Sequence, residues 1–149
     1  MIRGIIETYY DIQAMRIETE NQLRSLAQGV SEQEESWTKI NVLARLKEIE
    51  KTIYAHCSDF NQEHSIYSEW LHDLYGIGPV LSAGLISWIG EIDRFATISK
   101  LWAYSGLTVD ENGKARRRKA GEKSNWNTRL KVHCWKVGES FVKQKAEKS

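Results

Sequence analysis

Two glycines separated by one residue, Gly76 and Gly78, are followed directly by Pro79. Glycine lets the backbone turn sharply and approach a ligand with no side chain in the way. Proline is favoured at the first position of a helix, so this spacing predicts a turn that leads into a helix N-terminus. The backbone N–H groups and the positive dipole end of such a terminus attract an anion. We therefore predict that this turn binds phosphate.

The residues that follow the turn strengthen this prediction. Val80 and Ala83 lie in the first turn and a half of the expected helix, and an apolar run continues to residue 89. The pattern matches the helix-hairpin-helix motif, in which Ile77 ties two helices together and Ala83 allows them to pack closely. Contact through backbone N–H groups reads the DNA backbone with little dependence on sequence. An ordinary turn between helices is the alternative, and the predicted DNA contacts are Gly76, Ile77, Gly78 and Val80.

A second candidate region is a run of positive charge at residues 114–119, where five of six residues are Lys or Arg. Each phosphate that is neutralised releases counterions, so such a cluster predicts salt-sensitive binding. Arginine can also pair with phosphate in a bidentate geometry. Trp126, just beyond, is a candidate for stacking on an unpaired base, although a packed position is the alternative. A solvated surface is the alternative for the cluster, whose predicted contacts with their neighbours are Lys114, Arg116, Arg117, Arg118, Lys119, Lys123 and Arg129.

The other reactive side chains form no catalytic or metal-binding pattern. His56 and His133 are each followed by a cysteine, but adjacent side chains on a helix point in different directions. Neither pair has the spacing of a zinc site. No Walker phosphate loop and no nucleophile–base signature occurs. We therefore predict no catalytic residue, no metal and no cofactor.

Composition and length restrict the class of protein. The chain has 149 residues, of which 41% are hydrophobic, so it can bury a core. It has two cysteines, too few for a disulfide framework, which predicts a reducing, cytoplasmic setting. Charged residues occur throughout residues 1–28, so no signal peptide is predicted. No run of 18 apolar residues occurs, so we predict no membrane span.

Charge is distributed unevenly between the two halves of the chain. Residues 1–75 hold 7 Lys/Arg and 13 Asp/Glu, whereas residues 76–149 hold 14 and 7. The first half is therefore acidic and the second is basic. A basic region is a plausible partner for a phosphate backbone, which favours nucleic-acid binding by the second half.

Apolar periodicity predicts a pair of long helices in the acidic half. Residues 2–28 form the first helix, which stops at Gly29, and residues 29–36 form a polar turn. Ser36 or Thr38 is expected to cap the second helix. The apolar seam of that helix has steps of three or four, as in a coiled coil, and consists of Leu43, Leu46, Ile49, Ile53, Cys57, Phe60, His64, Tyr67, Leu71 and Leu74. The two helices are predicted to form an antiparallel hairpin, and the seam could close within the chain or in a homodimer.

The basic half is predicted to contain shorter helices. These span residues 80–89 and 97–104, with a turn at residues 90–95, and a last helix runs from Ser124 to about residue 145. The inward face of the last helix is expected to carry Trp126, Leu130, Cys134, Val137 and Phe141. Asn112 and Gly113 indicate a turn, with a short β-hairpin or an ordered loop around it. The predicted fold is mainly α, with a helical hairpin at 1–74 and a DNA-binding domain at 75–149.

Residues 76–131 resemble the C-terminal domain of the DEDD-type insertion-sequence transposases, the recombinases guided by a bridge RNA. The resemblance rests on the order and spacing of five stretches, namely GIGP at 76–79, AGLI at 83–86, GEIDRF at 90–95, LWAYSGLT at 101–108 and KSNWNTRL at 123–130. The upstream helices, with NQLRSL at 21–26, resemble the coiled-coil region that precedes this domain in the family. The resemblance implies a DNA-binding scaffold. In proteins of the helix-hairpin-helix class the hairpin carbonyls sometimes hold a monovalent cation.

The sequence departs from the family pattern in two respects. The family has a nuclease-like domain whose four acidic residues hold magnesium, and here the acidic residues lie on predicted helices instead. The family also has a nucleophilic serine in a Ser-Gly pair shortly after the Gly-Leu-Thr segment, where this chain has residues 110–113, DENG. No serine occurs between Ser105, which we expect to be packed, and Ser124, which we expect to cap a helix. The resemblance with these departures argues against strand-transfer chemistry.

Three functional hypotheses follow. The first is a DNA-binding protein of transposase-like type that has no strand-transfer activity of its own. The second is a fragment or accessory subunit of an insertion-sequence transposase, which acts in DNA transposition with a nuclease domain on a separate chain. The third is a coiled-coil interaction module whose basic half binds RNA or an acidic protein.

Overall fold

A computed structural model describes residues 1–26, 31–115, 117, 120, 121 and 123–147. The described residues are mainly helical, which confirms the predicted fold class. The chain divides into two compact units, Met1–Glu63 and His64–Ser149. The functional division after residue 74 stays a prediction, and the expected stop at Gly29 lies outside the described residues.

The first unit is a helical hairpin. α1 spans Ile2–Leu26, and its partner consists of α2 (Glu32–Thr38), a π-helical turn (Lys39–Leu43) and α3 (Ala44–Gln62) in direct succession. Ion pairs join Arg16 to Glu50 at 2.6 Å and Glu20 to Lys47 at 3.5 Å. As the residue number on α1 rises from 16 to 20, the residue number of its ion-pair partner on α3 falls from 50 to 47, so α1 and α3 are antiparallel. The helical hairpin that the apolar periodicity predicted is therefore present.

The core of the first unit contains apolar residues from both helices, and those from the second helix lie on its predicted seam. Ile6 of α1 is fully buried, as is Cys57 of α3, and Leu43 and Leu46 are nearly so. Burial raises the pKa of the Cys57 thiol to about 11, so this cysteine is a packed neutral group. Both cysteines of the chain are free thiols, as expected.

The second helix is shorter than its apolar seam predicted. It ends at Gln62, and His64 has an extended backbone before α4 (Ser65–Glu69) begins. Tyr67 and Leu71 continue the periodic pattern and are buried, but they belong to the second unit. The prediction of one helix to residue 74 was wrong because apolar spacing records which residues are buried and not whether the helix is continuous.

The start of the second helix was also predicted wrongly. The helix begins at Glu32, within the segment expected to be a polar turn, and Ser31 rather than Ser36 or Thr38 is its N-cap. The Ser31 Oγ accepts from the Glu34 N–H at 3.3 Å, and the Glu34 carboxylate accepts from the Ser31 N–H at 3.4 Å. This reciprocal capping box satisfies two donors that a helix start otherwise leaves unpaired.

The second unit contains α4, α5 (Pro79–Ile89), α6 (Ile98–Ser105) and α7 (Thr128–Glu147), with single 3-10 turns at Leu71–Asp73 and Ile92–Arg94. α7 packs against both α5 and α6. The buried residues of the second unit include Val80, Ala83, Trp88 and Leu130. The helices predicted at 80–89 and 97–104 are present within one residue at each end, and Thr97 caps α6.

The last helix begins later than predicted. Asn127, not Ser124, is its cap, because the Asn127 Oδ1 accepts from the Leu130 N–H at 3.0 Å. Trp126 therefore precedes the helix. On α7 the fully buried positions are Leu130 and His133, whereas Phe141 is 41% exposed. The predicted inward face of the last helix therefore differs from the observed one. It included Trp126, which precedes the helix, and left out His133, which is buried.

Replacement of Ser31 tests the capping box. We expect Ser31→Ala to lower the free energy of unfolding by about 1 kcal/mol, the usual cost of losing an N-cap. Ser36→Ala is the matched control, because Ser36 is exposed inside α2 and alanine is the better helix former there. Urea unfolding followed by circular dichroism measures both. A loss at Ser36 that equals or exceeds the loss at Ser31 would contradict this assignment.

Candidate nucleic-acid interface

The predicted turn before α5 is present. The Ile77 N–H donates to the Leu74 carbonyl at 3.0 Å, and Gly76 has a φ of +92°. Gly78 is the N-cap of α5, with Pro79 at the first helical position. The Ser82 N–H donates to the Gly78 carbonyl at 3.0 Å, which closes the first helical turn. The sequence therefore predicted this local conformation correctly.

The two glycines of the turn have different environments. The Gly76 carbonyl accepts from the Ser140 hydroxyl at 2.6 Å, and a Cβ on Gly76 would lie 3.3 Å from Phe141 and from Gln144. Gly76 is thus needed for its positive φ and its close contact with α7. Gly78 is exposed, and a Cβ there would meet nothing within 4 Å. The approach to the start of α5 is therefore open at Gly78.

The other two residues predicted to contact DNA at this turn are less accessible. Ile77 is half-buried and Val80 is 6% exposed. The Val80 side chain belongs to the core of the second unit, so only its backbone N–H remains a candidate contact. This agrees with a mode of binding that uses backbone donors.

Behind the turn, α5 and α7 meet where a histidine lies against a glycine. His133 is 1% exposed, and a Cβ on Gly84 would clash with its ring atoms Cε1 and Nε2. The His133 Nε2 is 2.8 Å from the Leu81 carbonyl oxygen, and its ring centroid is 4.8 Å from that of Trp88. Together with the contact of Gly76 with Ser140, this shows that α5 and α7 run antiparallel.

Sequence reasoning missed this contact. His133 was considered only as a neighbour of Cys134. Two features of the sequence pointed to it: a glycine within an apolar helix, and a histidine three residues after Leu130 on the other helix. That signal does not say which glycine faces which ring, because the pairing depends on how the two helices align.

The electrostatic state of His133 follows from its burial. Loss of solvation lowers the pKa of its imidazole below the ordinary value, the Leu81 carbonyl partly opposes this, and the Lys136 charge adds to it. The neutral form is therefore favoured in the folded chain. With a neutral ring, the N–H at Nε2 donates to the Leu81 carbonyl.

At the other end of α7, Asn127 joins the helix start to α6. Its backbone N–H donates to the Tyr104 carbonyl at 2.7 Å, and its Nδ2 donates to the Tyr104 hydroxyl at 2.9 Å. The Trp126 indole lies against Gly106, where a Cβ would be 2.7 Å from its Cδ1. The Lys131 ammonium is 4.9 Å from the centroid of the Trp126 ring. This packing half-buries Trp126, which favours a packed position for it over stacking on an unpaired base.

The segment before α7 contains an ordered turn. Val109 and Ala115 form an isolated antiparallel bridge, and the Asp110 carboxylate accepts from the N–H groups of Asn112 and Lys114, each at 2.9 Å. Gly113 takes the positive φ that closes the turn. The region where the family has its serine is therefore occupied by a turn whose carboxylate binds its own backbone.

The predicted basic contacts are only partly described. Lys114, Arg117, Lys123 and Arg129 are exposed. Arg116, Arg118 and Lys119 lie outside the described residues. Ser105 is 3% exposed and its hydroxyl donates to the carbonyls of Leu101 and Trp102, so this serine is packed as expected.

The two predicted DNA-binding regions adjoin α7 at different levels. The Gly76–Gly78 turn contacts α7 at Ser140, whereas the basic segment leads into α7 at Thr128. With a rise of about 1.5 Å per residue, these two levels of the helix are about 18 Å apart along its axis.

The described residues contain no cluster of three or more potential metal ligands among His, Cys, Asp and Glu. In the same residues no helix has the length and apolar character needed to cross a membrane.

Comparison with known families identifies the class of this helical domain. A family model described as the transposase IS116/IS110/IS902 family matches residues 68–142, which include the Gly76–Gly78 turn, α5, α6 and most of α7. The chain carries a C-terminal domain of the transposase type. Because the match covers half of its length, the chain belongs to the IS116/IS110/IS902 transposase family. Comparison with curated proteins gives no significant match, and comparison with solved structures gives none either.

Substitution of Gly84 tests the contact between α5 and α7. Gly84→Ala is expected to lower the free energy of unfolding by about 1–3 kcal/mol, because the added methyl group clashes with the His133 ring. Gly138→Ala is the control. A Cβ at Gly138 meets nothing, so alanine should raise the stability of α7 by about 0.5–1 kcal/mol. Chemical unfolding measures the free energy of unfolding of both variants. Equal effects of the two substitutions would show that His133 is not against Gly84.

Burial of His133 also predicts a dependence of stability on pH. The folded-state pKa is lowered, so the unfolded chain binds the proton more readily. The contribution to stability is complete above the ordinary pKa of about 6.5 and is lost progressively as the pH falls below it. Unfolding free energies at pH 8 and pH 5 should differ less in His133→Gln than in the wild type. His56→Gln, at an exposed position, serves as control. An identical pH dependence of wild type and His133→Gln would refute this.

Proposed function

We propose that this transposase-family chain binds the DNA backbone without strong sequence preference and has no strand-transfer activity of its own. The observation that carries the proposal is the open N-terminus of α5 at Gly78, which is exposed and where an added Cβ would meet no atom within 4 Å. Membership of a transposase family supports interaction with DNA. The excess of Lys and Arg after residue 75 supports a polyanionic partner.

The chemistry of the α5 terminus suits a phosphate. The first N–H groups of any helix have no carbonyl partner in their own helix. Here Pro79 has no N–H, so Val80 and Leu81 provide the first donors, and the N-cap is a glycine, which has no side chain to occupy them. A phosphate oxygen can take the place of a capping side chain and also benefits from the helix dipole.

The basic segment supplies a second, independent contact in this proposal. Exposed Lys114, Arg117, Lys123 and Arg129 would meet phosphates at the Thr128 end of α7, away from the Gly78 turn. In this proposal the two regions contact different phosphates of one duplex.

The proposed lack of strand transfer follows from the environment of the serine. Ser105 is buried, and its hydroxyl is hydrogen-bonded within α6. The turn at Asp110 fills the region where the family has its nucleophile, and the Asp110 carboxylate is engaged with its own backbone. Among the described residues these groups provide no exposed serine hydroxyl next to a base.

Family membership favours a second candidate, an accessory subunit of an insertion-sequence transposase that acts in DNA transposition. Its activity would require an acidic nuclease domain on a separate chain. Strand cleavage by this chain alone would contradict both candidates. Four further statements stay predictions. They are guidance by RNA, a homodimer through the first-unit helices, a coiled-coil module that binds RNA or acidic protein, and a cytoplasmic location.

A charge placed at the open helix terminus gives the sharpest test. Aspartate is a preferred N-cap, and the Gly78 backbone, with φ −86° and ψ 174°, accepts it without strain. Gly78→Asp should therefore fold with unchanged or slightly higher stability. Its carboxylate takes the place of the phosphate, so affinity for a short duplex at low salt should fall by about tenfold or more.

Gly4→Asp is the matched control, because it adds the same charge in the first turn of α1, where a Cβ also meets nothing. Gly78→Ser separates charge from capping, since it caps the helix without adding charge. Fluorescence anisotropy with a labelled duplex measures all four proteins. Wild-type affinity in Gly78→Asp, with loss of binding after replacement of Lys114, Arg117 and Lys123, would place DNA on the basic segment alone. A wild type that binds no duplex at low salt would refute the proposed function.

A further inference from the structure

The side of α7 that faces away from α5 carries large exposed apolar residues. Val132 is 55% exposed, Trp135 is 66% exposed and Val142 is 71% exposed. At 3.6 residues per turn Trp135 and Val142 lie roughly opposite His133, which is buried against α5, and Val132 lies to one side of them. We call this surface, from Lys131 to Val142, the outer face of α7. Large apolar side chains grouped on one exposed helix face make a candidate interaction surface.

The charge around Trp135 is positive. The sequence of α7 has five Lys or Arg and two Glu. Of these, Glu139 is paired with Lys143 at 2.9 Å. Lys131 is one helical turn before Trp135, so their side chains are neighbours. The outer face thus combines an exposed aromatic ring with cations.

Lys131 is also positioned by its surroundings. Its ammonium is 4.9 Å from the centroid of the Trp126 ring, and Trp126 is fixed against Gly106. A cation held over an aromatic ring loses less conformational freedom when it meets a phosphate. Trp126 and Lys131 therefore lie at the end of the outer face that adjoins the basic segment, and Lys131 is one helical turn before Trp135.

We propose that the outer face of α7 binds an unpaired DNA strand, with the Trp135 indole stacked on a base and Lys131 at a neighbouring phosphate. Stacking on an aromatic side chain beside a positive groove is the general means of binding single strands, and it tolerates any base because every base has a π-face. A duplex keeps its bases stacked on one another and offers no free base to Trp135.

Charge favours this occupant over a second copy of the chain or another protein. Lys131 and Lys136 flank Trp135 in sequence, and a polyanion suits such a surface. The inference rests on the proposed DNA binding and names an unpaired strand as its additional substrate. It uses a different surface from the Gly78 turn, which lies on the side of α7 that contacts α5, so the two can be tested separately.

The test compares four proteins on two probes. Wild type, Trp135→Ala, Trp135→Phe and Trp37→Ala are titrated against labelled oligo(dT) and against a duplex of equal length. Trp135→Ala should weaken oligo(dT) binding by about tenfold, the loss expected for one stacked base, and change duplex binding by less than about twofold. Trp135→Phe keeps a π-face and should restore most of the affinity. Trp37 is 62% exposed on α2 of the first unit and is the matched control, expected to bind like the wild type.

Three results would overturn the inference. The first is unchanged oligo(dT) affinity in Trp135→Ala while Gly78→Asp still weakens duplex binding, which leaves the proposed function intact. The second is loss of self-association in Trp135→Ala during sedimentation with no change in DNA binding, which would make the outer face an interface between copies. The third is tighter binding of oligo(U) than of oligo(dT) through Trp135, which would assign the surface to RNA. Absence of binding to either DNA probe by the wild type would refute the proposed function itself.

Discussion

The second unit depends on the contact between His133 and Gly84. A ring of this size can lie between α5 and α7 only where the opposing helix has no side chain, because a Cβ at Gly84 would overlap the imidazole. The hydrogen bond from His133 to the Leu81 carbonyl and its packing on Trp88 then determine how far one helix can slide along the other. Protein interiors are packed densely enough that a single such contact can determine the register of two helices.

The register of α5 on α7 determines where the candidate site lies. With His133 at Gly84, the antiparallel helices bring Ser140 to the Gly76 carbonyl, so α7 holds the turn before α5. The hydrogen bond leaves Gly78, two residues later, open to solvent. At the opposite end, Asn127 attaches the start of α7, which follows the basic segment, to Tyr104. α7 thus contacts or directly follows each region for which we propose DNA binding.

The sequence predicted local conformation well and long-range pairing poorly. Gly78 and Pro79 specify a helix start by their own backbone preferences, so α5 and its turn could be predicted. The capping box at Ser31 is equally local, but the predicted apolar seam starts only at Leu43, so the sequence pointed to Ser36 or Thr38 as the cap. The helix break after Gln62 and the contact of His133 with Gly84 depend on tertiary packing, which periodicity in one sequence does not contain. The positive charge of the basic segment could be predicted from its residues. The start of α7 that follows it could not, because the cap at Asn127 also bonds to Tyr104 of α6.

The two proposed DNA contacts differ in charge. The turn itself is not strongly basic, since exposed Asp73, paired with His72, lies close to it in sequence. Electrostatic screening at physiological salt has a length of about 8 Å, so a cation at the Thr128 end of α7, about 18 Å from the level of Ser140 along the helix, contributes little to the potential there. In the proposed mode each region binds its own phosphates. The cations then account for the salt dependence and for attraction at a distance, whereas the α5 terminus, which has no full charge, determines where on the backbone the chain settles.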